Sequence, residues 1–400
     1  MGDTPLNGAG KAGLKVLLFA FLSVSILNPL PGSIDRRLFW RRDPWPAQAI
    51  QPNIVSLPVA PTFLQKPASW LTGPAPPVTP PAFRASAQIE PENIVDLSQV
   101  GMITFRPWDL VTALAWSPDG KKLAIAAGED IYLYDAFSLE QLAFLPVGAL
   151  SHSLEFSPDG SRLAAASRDG QVRVWGIARA SSLPLVWRRD AHRQGANRVA
   201  FSPDGSLLAS SGNDGLIQVW QAQSGDPYAH FIAGSFSTPS VAFSPDGSWL
   251  AIANGPLARM REVESGRIGA TFRAGQDAWL YSLAISPDGR SLAVGDLQGR
   301  VWFWAGLAAF DGQALVGDPQ QLSGMQEEGL VWSLNFSPDG RLLAAGGATA
   351  RLNFWRADTG KWQGSLRGHQ GAVTCLHFNP TGDVLATGSL DATVRLWAVR

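Results

Sequence analysis

The tetrapeptide SPDG occupies residues 117–120 and returns at residues 157, 202, 244, 286 and 337, with the related NPTG at residue 379. Successive copies are 40, 45, 42, 42, 51 and 42 residues apart. Proline presets the φ angle of the first central turn position, aspartate suits the second and glycine the position after it, while serine can accept a hydrogen bond. The tetrapeptide therefore predicts seven copies of one hairpin turn, and this period predicts a repeat architecture.

The segments around each turn alternate like β-strands. In the first unit VTALAW (111–116) precedes the turn and KLAIAAG (122–128) follows it. A third strand ends in an aromatic residue, as in QVRVW (171–175), and a fourth lies between units, as in QLAFLPV (141–147). Four strands in each of seven units predict an all-β fold, a seven-bladed β-propeller of four-stranded antiparallel blades.

Closure of the propeller is also predicted from the strand order. The last unit reaches Arg400 directly after its third strand, so its fourth strand has to come from another part of the chain. The segment IVDLSQVGMITF, residues 94–105, is a strand left over before the first turn. Pairing these two ends would remove the open sheet edge, and it places the propeller over residues 92–400.

The stretch GHQGAVTCLHFNPTGDVLATGSLDATVRLW, residues 368–397, resembles a unit of the WD-repeat family, which carries Gly-His before the first strand and Trp-Asp at the close of the third. With degenerate repeats, the resemblance extends over about residues 94–400, and it implies an assembly scaffold rather than a catalyst. In the fourth unit, NGPLARMREVESG (254–266), Glu262 stands where the tryptophan is expected, which leaves that blade's third strand uncertain.

In that family a histidine, a serine or threonine, an aspartate and the tryptophan of one blade form a buried hydrogen-bonded set. The resemblance implies two complete sets here, and both are interpreted as structural rather than catalytic. They are His192, Ser210, Asp214 and Trp220 in the third unit, and His369, Thr387, Asp391 and Trp397 in the seventh.

Composition and motifs argue against several functions. Lys and Arg total 32 against 33 Asp and Glu, so no basic field favours nucleic acid. The single cysteine, Cys375, permits no internal disulfide, and its apolar neighbours predict an inert thiol. Hydrolase, metalloprotease and nucleotide-binding motifs are absent, and the five histidines are scattered over the units. The sequence predicts no enzyme, catalytic residue, metal ligand or cofactor.

Large aromatic residues stand where the innermost strands begin, at one mouth of the channel. Tyr281 and Trp279 lie five and seven residues before the fifth turn, and Trp332 lies five before the sixth. His152 and Asn197 hold equivalent places in the second and third units. These residues are predicted to form a partner-binding rim, because exposed aromatics anchor protein partners. The alternative is that the tryptophans pack between adjacent blades.

The leading functional prediction is a monomeric, non-enzymatic protein–protein interaction scaffold that binds a protein or peptide through a propeller rim. The alternative is an exported propeller enzyme or ligand binder, lactonase-like or glycan-binding, with its site in the central channel.

The first 91 residues have a different composition. Lys11 and Lys15 lead into VLLFAFLSVSIL (16–27), which is shorter than the roughly 20 residues of a membrane span and fits the apolar core of a signal peptide. Residues 1–30 are therefore predicted to be a signal peptide or membrane anchor of an exported or anchored protein. Arginines at 36, 37, 41 and 42 keep the cytoplasmic face open as an alternative. Residues 31–91, rich in proline, are predicted to be a disordered tether.

Overall fold

The computed structural model describes residues 85–177, 183–234, 237–275, 277–307, 318–324 and 329–399. Within these residues, 28 strands form seven antiparallel sheets of four strands each, which confirms the predicted seven-bladed β-propeller. Helical structure in this part of the chain is limited to a short 3-10 helix, Pro91–Asp96. None of its helices is long and apolar enough to cross a membrane.

The strands of blades 1 to 6 run outward from the channel in sequence order. Blade 1 consists of β2 Val111–Trp116, β3 Lys122–Ala127, β4 Asp130–Asp135 and β5 Gln141–Pro146. Blade 2 consists of β6 Ser151–Phe156, β7 Arg162–Ser167, β8 Gln171–Gly176 and β9 Leu185–Asp190. Blade 3 consists of β10 Ala196–Phe201, β11 Leu207–Gly212, β12 Leu216–Gln221 and β13 Pro227–Ile232.

Blade 4 consists of β14 Ser240–Phe243, β15 Trp249–Asn254, β16 Leu257–Glu262 and β17 Ile268–Arg273. Blade 5 consists of β18 Leu280–Ile285, β19 Leu292–Asp296, β20 Val301–Trp304 and β21 Gln320–Gln321. Blade 6 consists of β22 Val331–Phe336, β23 Leu342–Gly347, β24 Arg351–Arg356 and β25 Trp362–Arg367.

Blade 7 joins the two ends of the described chain. Its inner strands are β26 Val373–Phe378, β27 Leu385–Ser389 and β28 Thr393–Val399, and its outer strand is β1, Leu97–Thr104. Strands β1 and β28 are antiparallel, with Leu97 opposite Val399 and Thr104 opposite Thr393. The outer strand lies within the segment 94–105 that the sequence assigned to closure, so blade 7 has four strands like the other six.

The propeller begins earlier than residue 92. Ser86 donates a backbone hydrogen bond to the Val399 carbonyl at 3.1 Å, and Ile89 donates one to the Gly382 carbonyl at 2.8 Å. The Ile89 side chain is buried against blades 6 and 7. The last residues of the predicted tether are therefore joined to the folded unit by these backbone bonds and by the buried Ile89 side chain. The predicted signal or anchor at 1–30, and the rest of the tether, lie outside the described residues.

Blade 4 has a regular third strand, and the assignment of Glu262 to the tryptophan place is wrong. In blade 3, Trp220 pairs with Leu208, which lies six residues after the first residue of the turn. The leucine at the same distance from the turn in blade 4 is Leu250, and it pairs with Arg261. The Arg261 guanidinium carbon lies 5.6 Å from the centre of the Phe231 ring. An arginine stem can cover the apolar surface that tryptophan covers in other blades, so the strand remains paired without the family's aromatic residue.

Apolar side chains are buried between blades rather than within one blade. Among the residues that the structure describes, seven of the eight clusters of buried apolar residues are each shared by one adjacent pair of blades. At the contact between blades 5 and 6, for example, Phe303 and Phe336 pack with Trp355, which is fully buried. The blades are therefore held in a ring by the hydrophobic effect acting at every contact between neighbours.

The seven turns form a second ring around one end of the channel. In the first, the Ser117 hydroxyl donates to the Asp119 carboxylate at 2.6 Å and accepts from the Lys122 amide at 2.8 Å. The seven turn glycines have φ between 68° and 76°, a region that favours glycine. A Cβ on each would stand 3.4–3.7 Å from the proline Cδ of the preceding turn. Proline and glycine thus also make the contact between neighbouring turns.

Candidate functional site

The buried polar sets of blades 3 and 7 are closed networks. In blade 3 the His192 ring lies 3.0 Å from Asp214 Oδ1 and 2.9 Å from Ser210 Oγ, and the Trp220 indole donates to Ser210 Oγ at 3.2 Å. An indole N–H can only donate, so the Ser210 hydroxyl accepts there and donates to His192 Nε2, while Nδ1–H donates to Asp214. The hydroxyl is fully buried, and its bonds tie the two middle strands together.

Blade 7 repeats this arrangement with threonine in place of serine. The His369 ring lies 3.0 Å from Asp391 Oδ2 and 2.8 Å from Thr387 Oγ1, and the Trp397 indole donates to Thr387 Oγ1 at 2.9 Å. Burial works to raise the pKa of Asp391, but the bonds from His369, Thr393 and the Gln370 amide outweigh it and lower that pKa. The carboxylate is therefore ionised and fully engaged in holding the blade.

Blade 5 uses a different buried set that the sequence did not reveal. Asp296 is fully buried and accepts from Arg300 Nε at 2.6 Å and from the Trp302 indole at 3.0 Å. Arg300 also pairs with Asp277 at 2.9 Å. Asp296 lies at the end of β19, two residues closer to its turn than Asp214 and Asp391 lie to theirs. Aligning the units by their turns therefore did not identify it.

The five predicted rim residues fall into two groups. Trp332 packs with Leu330 and Ala372, and Tyr281, Leu297 and Leu390 pack against these three; we call these six residues the mouth cluster. They come from blades 5, 6 and 7 at the end of the channel opposite the ring of turns. Trp332 is only 9% exposed, whereas Trp279 is 40% exposed and accepts a backbone hydrogen bond from Leu297 of the cluster.

His152 and Asn197 lie on the other side of the channel and take part in contacts between blades. The His152 ring lies 3.3 Å from the Ala196 carbonyl oxygen. The Asn197 amide donates to Asn213 at 2.8 Å and to the Thr238 carbonyl at 3.2 Å. The structure therefore brings Trp332 and Tyr281 together, with Trp279 at their edge, and leaves His152 and Asn197 outside the mouth cluster.

Side chains of the inner strands bond to the next blade along the channel wall. Glu155 Oε2 accepts from the Phe201 amide at 3.1 Å, and Asn335 Oδ1 accepts from the Phe378 amide at 3.1 Å. Ser282 Oγ donates to the Val331 carbonyl at 2.9 Å. Each innermost strand has one edge without a further strand, and these bonds satisfy backbone groups along that edge.

Two charged residues, Glu155 and Arg198, occur on the seven inner strands. Burial raises the pKa of Glu155 to about 8, although the Phe201 amide and the charge of Arg198 act to lower it. Burial, followed by the charge of Arg198, lowers the pKa of His377 to about 3. Burial also raises the pKa of Cys375 to about 12, so this thiol stays protonated. The channel lining is therefore almost free of charge apart from Arg198.

The charged pair of Glu155 and Arg198 was not predicted, although the spacing from the turns contains a signal. Four residues before each turn the chain has one small side chain per unit except in the third, which has an arginine: Ala113, Ser153, Arg198, Ser240, Ser282, Ser333 and Cys375. In the described part of the chain, no group of three or more His, Cys, Asp or Glu residues is placed to hold a metal ion.

Comparison with known proteins agrees with this fold. The WD40 family, described as WD domain, G-beta repeat, matches residues 146–176, 184–221, 266–305, 320–356 and 360–398. The two blades without a match, blades 1 and 4, are those in which Tyr134 and Arg261 replace the third-strand tryptophan. The protein is thus a WD-repeat, seven-bladed β-propeller, a class of protein that typically serves as an interaction scaffold.

Curated relatives match only a short part of this chain. Protein HIR1 of Aspergillus oryzae is 32% identical over 87 residues, which is 21% of this chain and 8% of the relative. Protein HIR1 of Chaetomium globosum is 36% identical over 86 residues, again 21% of this chain and 8% of the relative. The similarity therefore concerns a small portion of each relative's length.

Proposed function

We propose that this protein is a non-enzymatic interaction scaffold that binds a protein or peptide partner at the mouth of the channel, over Trp279 and the mouth cluster. The observation that carries the proposal is the exposed indole of Trp279 beside half-buried Tyr281, Leu297 and Leu390. Aromatic side chains at the edge of an apolar patch anchor many protein interfaces. WD40 propellers commonly bind proteins and peptides, which supports the same assignment.

Trp279 and Trp332 have different roles in this proposal. Trp279 offers an indole that a partner can cover, while the indole of Trp332 is already packed between Tyr281 of blade 5 and Leu390 of blade 7. Trp332 therefore shapes the mouth, and its loss would disturb the contact between blades as well as binding. For this reason the binding test rests on Trp279.

Replacing Trp279 by alanine is expected to weaken partner binding by about ten-fold to a hundred-fold, since truncation of an interface hot spot costs roughly 2 kcal/mol or more. The full chain is immobilised, proteins from source-cell extract are captured and identified, and the affinity of the recovered partner is then measured. Trp362→Ala is the matched control, because Trp362 is 41% exposed but lies on outer strand β25. Equal binding by both variants and the unchanged protein would contradict the proposed surface.

A further inference from the structure

We propose that the channel contains a binding site for one oxyanion, a carboxylate, sulfate or phosphate group, with the guanidinium of Arg198 as its receptor. The proposal is independent of the partner-binding role, because it concerns the axis of the propeller below the mouth. It rests on the position of Arg198, on the lack of a hydrogen-bonded partner for its guanidinium, and on the neutrality of the side chains around it.

Arg198 lies on β10, the innermost strand of blade 3, which lines the channel. It lies four residues before the turn of its unit, and the same position in the other six units holds serine, alanine or cysteine. Arg198 is therefore the only long side chain among these seven positions. Its charge acts on Glu155 of blade 2, Tyr281 of blade 5, and Cys375 and His377 of blade 7. Like Arg198, these residues lie on the innermost strands of their blades, and those strands surround the channel.

The guanidinium lacks a protein acceptor. It carries five N–H donors, and none of the described residues accepts a hydrogen bond from it or lies within ion-pair distance of it. The nearby carboxyl of Glu155 instead accepts from the Phe201 amide. Arg198, Glu155, His377 and Tyr281 are each half-buried, so accessible surface remains beside them inside the channel.

The side chains that face Arg198 do not neutralise its charge at neutral pH. His377 has a lowered pKa and is uncharged, and the Tyr281 and Cys375 pKa values are raised, so these two groups keep their protons. Glu155, with a pKa of about 8, is mainly protonated below that pH. An arginine remains charged under all these conditions. A cation enclosed by neutral groups is costly, and an oxyanion with two acceptor oxygens relieves that cost.

Glu155 gives the site a characteristic pH dependence. Above about pH 8 its carboxylate forms, repels a bound anion and competes for Arg198. Binding of an oxyanion therefore tightens as the pH falls through this range and takes up a proton on Glu155. A site made only of surface charges would not show this link to a single buried carboxyl group.

Sulfate is a suitable probe because its charge is constant between pH 6 and 9. Titration calorimetry of the full chain, at ionic strength held constant with chloride, is expected to show one sulfate bound per chain. Arg198→Gln is expected to weaken that binding at least ten-fold, while Arg193→Gln leaves it unchanged, because Arg193 is an exposed arginine on the nearby loop. Equal sulfate affinity in the unchanged protein and Arg198→Gln, or no binding by the unchanged protein, would overturn the site.

Glu155→Gln provides a second measurement that does not depend on the folding of the arginine variant. Glutamine keeps an acceptor oxygen for the Phe201 amide but cannot ionise. Sulfate affinity of the unchanged protein is expected to fall several-fold between pH 7 and 9, and that of Glu155→Gln to stay constant. An identical decline in both proteins would contradict the role of Glu155. Competition between sulfate and the captured partner would identify a partner carboxylate or phosphate as the natural source, and its absence would identify a free anion.

Discussion

Trp355→Ala is expected to lower the free energy of unfolding by about 3–5 kcal/mol, the largest stability loss among the substitutions considered for this propeller. The Trp355 side chain is fully buried at the contact between blades 5 and 6, and its indole donates to the Ser323 carbonyl at 2.7 Å. Truncation leaves a cavity at that contact and an unsatisfied carbonyl. Denaturant unfolding, followed by tryptophan fluorescence and circular dichroism, measures the change.

Trp362 provides a control in the same blade. It stands directly opposite Trp355 in the pairing of β24 with β25, but its side chain is 41% exposed. Trp362→Ala removes the same atoms from the outer strand, and the loss is expected to be a third or less of that for Trp355→Ala. If both variants lost equal stability, the apolar contact between blades would not be the main source of the stability of blade 6.

The second large effect concerns pH, with His377 as its source. Because burial and Arg198 lower the pKa of His377 to about 3 in the folded protein, the ring is neutral there over most of the acid range. In the unfolded chain its pKa returns to about 6.5, so the unfolded state binds an extra proton as the pH falls from about 6.5 to about 3. Stability is lost over that window, by up to about 5 kcal/mol at 1.36 kcal/mol per pKa unit.

The variant His377→Gln is expected to lose much less stability between pH 6.5 and 3.5 than the unchanged protein. His230→Gln is the matched control, because His230 is exposed on outer strand β13, and it should keep the original slope. Glu155 acts in the opposite sense, since its raised pKa adds stability as the pH falls from about 8 to about 4.5. The test therefore compares the change in unfolding free energy with pH between the unchanged protein and the two variants. Parallel curves of unfolding free energy against pH for all three proteins would contradict the role of His377.

Local sequence signals predicted the architecture well because each blade is a local structure. A hairpin turn, an alternating strand and a terminal aromatic recur within each unit, and their number alone predicts seven blades. The same locality explains the error at Glu262. A repeat can be aligned on its turn, but the register of the third strand depends on hydrogen bonds to the second, and these place Arg261 rather than Glu262 opposite Leu250.

The candidate sites were only partly predictable. The positions of Trp279 and Trp332 before their turns indicated the mouth of the channel, but their exposure differs because Leu390 and Ala372 of the next blade cover only Trp332. Arg198 and Glu155 are 43 residues apart in sequence and looked like isolated charges in two unrelated strands. Their relation depends on the packing of blade 2 against blade 3, which brings the innermost strands β6 and β10 side by side.

The turn SPDG illustrates the difference between what the sequence predicts and what depends on the tertiary structure. By itself, the sequence determined the number of blades, the order of strands in each and the strand that closes the ring, because these follow from short-range turn chemistry and strand alternation. Only the tertiary structure decided that each turn proline packs on the glycine of the next blade, that Arg261 replaces a tryptophan, and that Arg198 lies alone among neutral groups. These features depend on contacts between units, and such contacts exist only after hydrophobic burial has closed the ring.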